Sequence, residues 1–313
     1  MLERNKEQAI ASIDLGTYGC RMIVGVTAKN NSHYKIISRF SQTVKLIVDN
    51  AGDLSSASRS RLMRSLQQCH SILCKFNITN YRCVGTAACR AVQDRGNFIK
   101  SIKDETGINL EIITPREEIE LAALGAMSVF AKNTKVKFIF DIGGGSTEFG
   151  IFVYTNHAPK CVAFASLPYG ILTLNPFATP DSKKTFSDHV RTVVQDMFSG
   201  CSVAHNINSV QAITTSGPLA TIVTLNEGLT GYHGPNIHGL NMQYYTILHW
   251  IDKIEQMGSE EFSRAYGISN AMMSGLSILR GIVEATKIPI YISNTGVRDG
   301  ILKSLFTERR LNQ

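Results

Sequence analysis

The chain has 313 residues, 43% hydrophobic and 18% charged, a globular balance with room for two domains. Its formal net charge of +7, from 32 Lys and Arg against 25 Asp and Glu, suits a polyanionic partner. The basic residues form no dense block or aromatic-interleaved helix, which argues against a nucleic-acid groove. No apolar run reaches bilayer-spanning length, and the charged start, Met1 to Gln8, lacks the apolar core of a secretory signal. The seven cysteines are odd in number and hold no Cys-x-x-Cys pair, so they read as free thiols of a cytoplasmic protein.

In chain order, Ile10 to Val26 reads as an apolar strand reaching Asp14, a turn at Gly16-Thr17, and a second strand beyond Arg21. Tyr34 to Val48 is extended. Ser58 to Phe76 carries apolar residues at helical spacing, Tyr81 to Thr86 is a short strand, and Asp94 to Thr106 is a helix stopped by Gly107. Leu110 to Ile113 is a further strand. Pro115 then opens a helix at a position where proline is tolerated, with Glu117, Glu118 and Glu120 near its N-terminus. Three acids there match the helix dipole and need no further explanation by themselves.

The stretch Phe138 to Val153 organises the chain. An apolar run ends at Asp141, three glycines follow (143 to 145), then Ser146, Thr147 and Glu148, and a second apolar run begins. This is a hairpin of two buried strands. Glycines without Cβ atoms let backbone N–H groups gather around an anion. Two flanking carboxylates suit a hard cation such as Mg²⁺. With an offset of 127 residues, Asp14 falls on Asp141, Gly16 on Gly143 and Arg21 on Glu148. A repeat at half-chain spacing predicts two homologous domains facing each other across a cleft.

Further on, Cys161 to Leu167 is a strand leading to Pro168-Tyr169-Gly170, and Lys184 to Phe198 is a helix. Val210 to Thr215 runs into Ser216-Gly217-Pro218 and a helix over Leu219 to Leu225, a place for phosphate at a helix N-terminus or a plain crossover. His233 and His238 lie in a glycine-rich loop and read as loop histidines. Tyr244 to Met257, Glu260 to Tyr266 and Asn270 to Ala285 are helices, Pro289 to Ser293 a strand, and Gly296 starts a last helix.

These stretches together resemble the exopolyphosphatase / guanosine pentaphosphate phosphatase family. The matching segments are Ile13-Asp-Leu-Gly-Thr with Arg21, Gly85-Thr-Ala-Ala-Cys-Arg90, Glu117-Glu118, Asp141 to Glu148, Ser166-Leu-Pro-Tyr-Gly170, Thr215-Ser-Gly217 and Gly296-Val-Arg298-Asp-Gly300. The resemblance implies an α/β fold of two ribonuclease-H-like domains of the actin, Hsp70 and sugar-kinase superfamily. The expected domains are 1–125, joined by the helix at about 299–313, and 126–298. It also implies Mg²⁺-assisted removal of terminal phosphate from inorganic polyphosphate or guanosine pentaphosphate, with no nucleic-acid or membrane partner and a homodimer as one assembly. A weakly active or inactive sensor that binds such polyanions is the alternative.

The resemblance gives Glu118 the role of orienting and deprotonating the attacking water, with Arg90 beside it as a catalytic residue. Asp14, Asp141 and Glu148 are the expected metal-holding acids. Gly16, Thr17, Arg21, Gly143, Gly144, Gly145, Ser146, Thr147, Gly217 and Arg298 are the expected phosphate-binding positions. The chain departs from the family pattern at Tyr18, Gly19, Glu120 and Asn270, which puts substrate-length preference and the level of activity in doubt.

Overall fold

The computed structural model describes residues 9–27, 34–49, 51–131, 133–154, 159–174, 179–229, 234–266 and 271–311. His233 and Asn270 lie outside the described residues. The chain divides into two compact units, Met1–Thr114 with Val297–Gln313, and Pro115–Gly296.

The first unit holds β1 (Ala9–Leu15), β2 (Gly19–Thr27), β3 (Tyr34–Thr43), α1 (Ser56–Lys75), β4 (Tyr81–Gly85), α2 (Ala87–Ala91), α3 (Arg95–Thr106) and β5 (Leu110–Ile112). Its sheet runs in the order β3-β2-β1-β4-β5. β1 is central and almost wholly buried, so its residues are apolar on both faces apart from Ser12 and Asp14. β3 is an edge strand and alternates half-buried with exposed positions. Ser55 caps α1 through the Ser58 N–H, and Asp94 caps α3 through the Asn97 N–H.

The second unit opens with α4 (Pro115–Ala126) and a 3₁₀ turn at Met127–Val129, followed by β6 (Val136–Ile142), β7 (Thr147–Tyr154), β8 (Pro159–Leu167), α5 (Pro180–Ser199), β9 (Val210–Thr214) and α6 (Gly217–Asn226). It continues with α7 (Gly234–Ile237), β10 (Asn241–Met242), α8 (Tyr244–Met257), α9 (Ser259–Tyr266), α10 (Ala271–Thr286) and β11 (Ile290–Ile292). The last helix, α11 (Val297–Leu311), returns to the first unit, where it packs on β1, β2 and β4. The second sheet runs β10-β11-β9-β6-β7-β8. Taken from β8, that is the order of the first sheet with β10 added at the far edge.

The repeat seen in the sequence extends to the register. Asp14 stands opposite Arg21 across β1 and β2, and Asp141 stands opposite Glu148 across β6 and β7. β2 shifts register against β3 between Val24 and Gly25, and β7 shifts against β8 between Ile151 and Phe152, the same place under the 127-residue offset. The skipped residues, Ile37 and Val162, lie on β3 and β8, and bulges bend the strand that carries them, so the two edge strands share a built-in bend. The sequence reading carries the first domain to residue 125, whereas α4 packs against β6, β7 and β8 of the second unit.

Lys137 pins the entry to β6. It is fully buried, and its Nζ donates to the carbonyls of Ala131 at 2.8 Å and Thr134 at 2.5 Å. Burial disfavours the ammonium and lowers its pKa to about 8. Between about 8 and 10.5 the unfolded chain holds a proton that the folded chain has released, so this group's contribution to stability rises with pH through that window. The melting temperature of wild type relative to Lys137→Met is therefore expected to improve between about pH 7 and about pH 10. A gap independent of pH would contradict the assignment.

The seven cysteines are unbridged, and all but Cys74 are buried. Cys20 and Cys69 approach to 4.0 Å. The hydrogen bond from Cys69, then burial, push the Cys20 thiol up, and burial does the same to Cys83. Both are packing groups and are held far from reactivity at neutral pH.

Candidate active site

In the second unit, the turn between β6 and β7 is closed by the Gly143 N–H donating to the Ser146 carbonyl at 2.9 Å. The carbonyls of Gly143 and Gly144 point to the segment after β8, where they accept from the N–H groups of Ile171 at 3.0 Å and Leu172 at 2.8 Å. Among the described residues no peptide bond is cis, and in a trans peptide the C=O and the following N–H point opposite ways. Tying back these carbonyls therefore turns the Gly144 and Gly145 N–H groups to the other side of the turn. A Cβ on Gly170 would lie 2.3 Å from the Gly143 carbonyl oxygen, so only glycine lets the segment come this close. The Thr147 hydroxyl adds a bond to the Tyr169 carbonyl at 2.9 Å.

The acids share one face of this sheet. Asp141 and Glu148 are cross-strand partners, so their side chains project to the same side. Gly150 follows Glu148 at the two-residue spacing that keeps a face. The Cβ direction of Gly150 leads to Ile119 of α4, whose Cγ1 would be 3.3 Å away. Helix α4 thus covers the face to which Asp141 and Glu148 point, and Glu118, just before Ile119, belongs to its first turn. Glu118 is 7% exposed, which removes it from the class of surface acids that merely answer the helix dipole. Glu120 does belong to that class: it pairs with Arg116 on the helix surface at 3.1 Å.

Glu148 is fully enclosed. Its Oε1 accepts from Ser146 Oγ at 2.6 Å and Ser166 Oγ at 3.3 Å. Asp141 is only half-buried, so of the cross-strand pair it is the acid a ligand reaches. Among the described residues no group of three or more His, Cys, Asp or Glu is gathered for a metal ion. The pair still fits Mg²⁺, which is commonly held by one or two carboxylates with water and substrate phosphate completing its octahedron. Gly217 is the first residue of α6, whose N-cap Ser216 makes no side-chain cap bond.

In the first unit the corresponding turn is closed by the Gly16 N–H donating to the Gly19 carbonyl at 2.9 Å. Thr17 Oγ1 accepts from the Ala88 N–H at 3.1 Å and so caps the short helix α2, whose own N-cap Thr86 makes no side-chain cap bond. That contact joins the glycine turn to the helix bearing Arg90. The Arg90 guanidinium reaches the Ile113 carbonyl at 3.2 Å. Asp14 is 9% exposed, and Arg21, its cross-strand partner, is exposed. Arg298 begins α11 and meets Asp299 at 3.2 Å.

The site residues read from the sequence therefore fall into two sets. Asp14, Gly16, Thr17, Arg21, Arg90 and Arg298 stand in the first unit, and Glu118, Asp141, Gly143 to Glu148 and Gly217 in the second. Ser166 and Gly170 lie in a matching segment, and the sequence assigns them no role. Their contacts cross to residues 18 and more positions away in sequence, which no local pattern reveals.

A family model for the Ppx/GppA phosphatase family matches residues 25–308. Over 249 residues the chain is 31% identical to a bifunctional 3-dehydroquinate synthase/phosphatase of Fusobacterium nucleatum, covering 74% of this chain and 36% of that protein. The chain thus spans about a third of that relative's length. It is 24% identical to exopolyphosphatase 2 of Mycobacterium tuberculosis, over 73% of this chain and 74% of the relative. Two crystal structures share its fold. The Aquifex aeolicus Ppx/GppA family member has a TM-score of 0.77 and 23% identity, covering 98% of this chain and 99% of its own. An exopolyphosphatase from Cytophaga hutchinsonii has a TM-score of 0.77 and 18% identity, covering 96% and 98%. The chain belongs to the Ppx/GppA phosphatase family, whose members hydrolyse phosphoanhydride bonds.

Proposed function

We propose that this chain removes the terminal phosphoryl group of inorganic polyphosphate by Mg²⁺-assisted attack of water. The observation that carries the reading is the second sheet's acid-lined face: Asp141, Glu148 and the α4 turn bearing Glu118 lie on one side, beside a turn whose carbonyls are tied back. Phosphoanhydride hydrolysis asks for positioning and charge neutralisation more than covalent chemistry. The N–H groups of Gly144 and Gly145 hold phosphoryl oxygens. Glu118 orients the water and takes its proton. Asp141 takes the metal, and Glu148, enclosed with Ser146 and Ser166, fixes the turn and the local negative charge from behind. Mg²⁺, when bound, neutralises charge on the phosphoryl oxygens. Within the first unit, Arg90, Arg21 and Arg298 offer guanidinium forks for phosphoryl oxygens, with Asp14, Gly16 and Thr17 forming that unit's own phosphate turn. Gly217 offers a helix N-terminus for a further phosphoryl group or a nucleotide.

The test is phosphate release from linear polyphosphate and, in parallel, from guanosine pentaphosphate, with Mg²⁺ and again after chelation by EDTA. The expected result is release from polyphosphate that EDTA abolishes and Mg²⁺ restores. Release from guanosine pentaphosphate alone would transfer the assignment to that substrate. Tight polyphosphate binding without release would replace the hydrolase with a sensor.

A further inference from the structure

The first glycine turn is also tied back, by a different device. The segment after β3 supplies the donors: the N–H groups of Val44 and Lys45 both reach the Tyr18 carbonyl, at 2.9 and 3.1 Å, and that of Leu46 reaches the Thr17 carbonyl at 2.7 Å. By the same peptide geometry, the N–H groups of Tyr18 and Gly19 then point away from this segment. No carbonyl among the described residues accepts from the Thr17 or Tyr18 N–H.

In the second unit the strap is held by close contact, Gly170 against Gly143. The first unit's strap lacks such a glycine and takes an unfavourable shape, with Lys45 at φ 44°, a left-handed conformation that side chains disfavour. It is held from α1. Arg61 Nε donates to the Val44 carbonyl at 2.6 Å and its Nη2 to the Lys45 carbonyl at 2.9 Å, while Ser58 Oγ donates to the same Lys45 oxygen at 3.1 Å. Among the described residues no carboxylate pairs with Arg61. Its guanidinium is spent on the strap.

We propose that Arg61 is a positioning residue of the phosphate site: it clamps the strap after β3 and thereby aims the N–H groups of Tyr18 and Gly19 at the substrate's phosphoryl oxygens. The inference rests on the reading of this turn as a phosphate turn, and it adds to that reading a residue on another element, more than forty positions along the chain. It explains how a turn with Tyr18 in place of a small polar residue keeps its function, since the aimed groups belong to the backbone. It also predicts that the structural damage stays at the first turn, since the second turn has its own strap.

The experiment labels Tyr and Gly amides with ¹⁵N in the full chain carrying Glu118→Gln, so that inorganic tripolyphosphate is bound and not consumed. The ligand is titrated into this protein and into versions that add Arg61→Gln or Arg61→Lys. The expected result is a dissociation constant read at Tyr18 and Gly19 that rises about tenfold with Arg61→Gln, the loss of one charge-assisted clamp. At saturation the ligand-induced shifts of Tyr18 and Gly19 should shrink while those of Gly144 and Gly145 keep their size, and Arg61→Lys, which still donates to a carbonyl, should recover most of the loss. A purely structural role for Arg61 would shift both turns together or neither. Unchanged titration at Tyr18 and Gly19 in Arg61→Gln would overturn the proposal while leaving the phosphate reading intact. If the parent protein shows no ligand-dependent shift at either turn, the phosphate reading itself fails, and the proposal with it.

Discussion

Glu118→Gln is expected to lower kcat for phosphate release by roughly 10²- to 10⁴-fold, the usual contribution of a positioned general base. KM should change little, because the phosphoryl contacts assigned here run through backbone N–H groups and guanidinium groups. Glutamine keeps the size and a hydrogen-bonding oxygen, so water can still be held while the proton acceptor is gone. The side chain sits in the first turn of α4 and is 7% exposed. The melting temperature of the variant should stay within a few degrees of wild type, which separates lost chemistry from lost fold. Steady-state kinetics on polyphosphate, with thermal unfolding alongside, give the answer. A kcat within a few-fold of wild type would remove Glu118 from the reaction.

Gly125→Ala should produce the largest loss of stability among conservative changes. A Cβ at this position of α4 would lie 2.0 Å from the Gly296 carbonyl oxygen and 2.7 Å from its carbonyl carbon, both backbone atoms with no rotamer by which to yield. Overpacking of this kind typically costs about 1–3 kcal/mol and occasionally more. For a unit of this size, a cost of about 3 kcal/mol lowers the melting temperature by roughly 6–12 °C. Gly296 immediately precedes α11, so the displaced backbone also disturbs the start of that helix. Thermal unfolding of the variant beside Gly228→Ala supplies the control. Gly228 has open space around its Cβ direction but a φ of +65°, so only backbone strain operates there. Equal losses in the two variants would mean that the 2.0 Å overlap relaxes at no cost.

Much of this architecture could be read from the residues because the two hairpins announce themselves locally. An apolar run, an acid and glycines at one spacing, repeated after 127 residues, return as β1-β2 and β6-β7 with matched register, and the next ladders, β2-β3 and β7-β8, shift register at the same place. The helix over Ser58 to Phe76 and the one opened by Pro115 return as α1 and α4 for the same reason, strong periodicity and clear punctuation. The two-residue strand β10 carried no such signal.

What eluded the sequence are contacts between distant segments. Gly170 looks like an ordinary turn glycine until the Gly143 carbonyl is seen 2.3 Å from its missing Cβ. No local pattern links Arg61 to the Val44 and Lys45 carbonyls that it reaches. Ser146 and Thr147 read as phosphate ligands, yet in the structure their hydroxyls are committed to Glu148 and to the Tyr169 carbonyl. Tyr18 and Gly19 depart from the family pattern in their side chains, whereas this turn is held by the Thr17, Tyr18 and Gly19 carbonyls.

The account depends on water being delivered to a terminal phosphorus. Its most direct measurement is a reaction of linear polyphosphate with Mg²⁺ and the purified chain in ¹⁸O-enriched water, followed by mass spectrometry of the orthophosphate released. One solvent oxygen in each orthophosphate, absent with Glu118→Gln, is the predicted result. Orthophosphate without solvent oxygen, or polyphosphate bound and left intact, would contradict it.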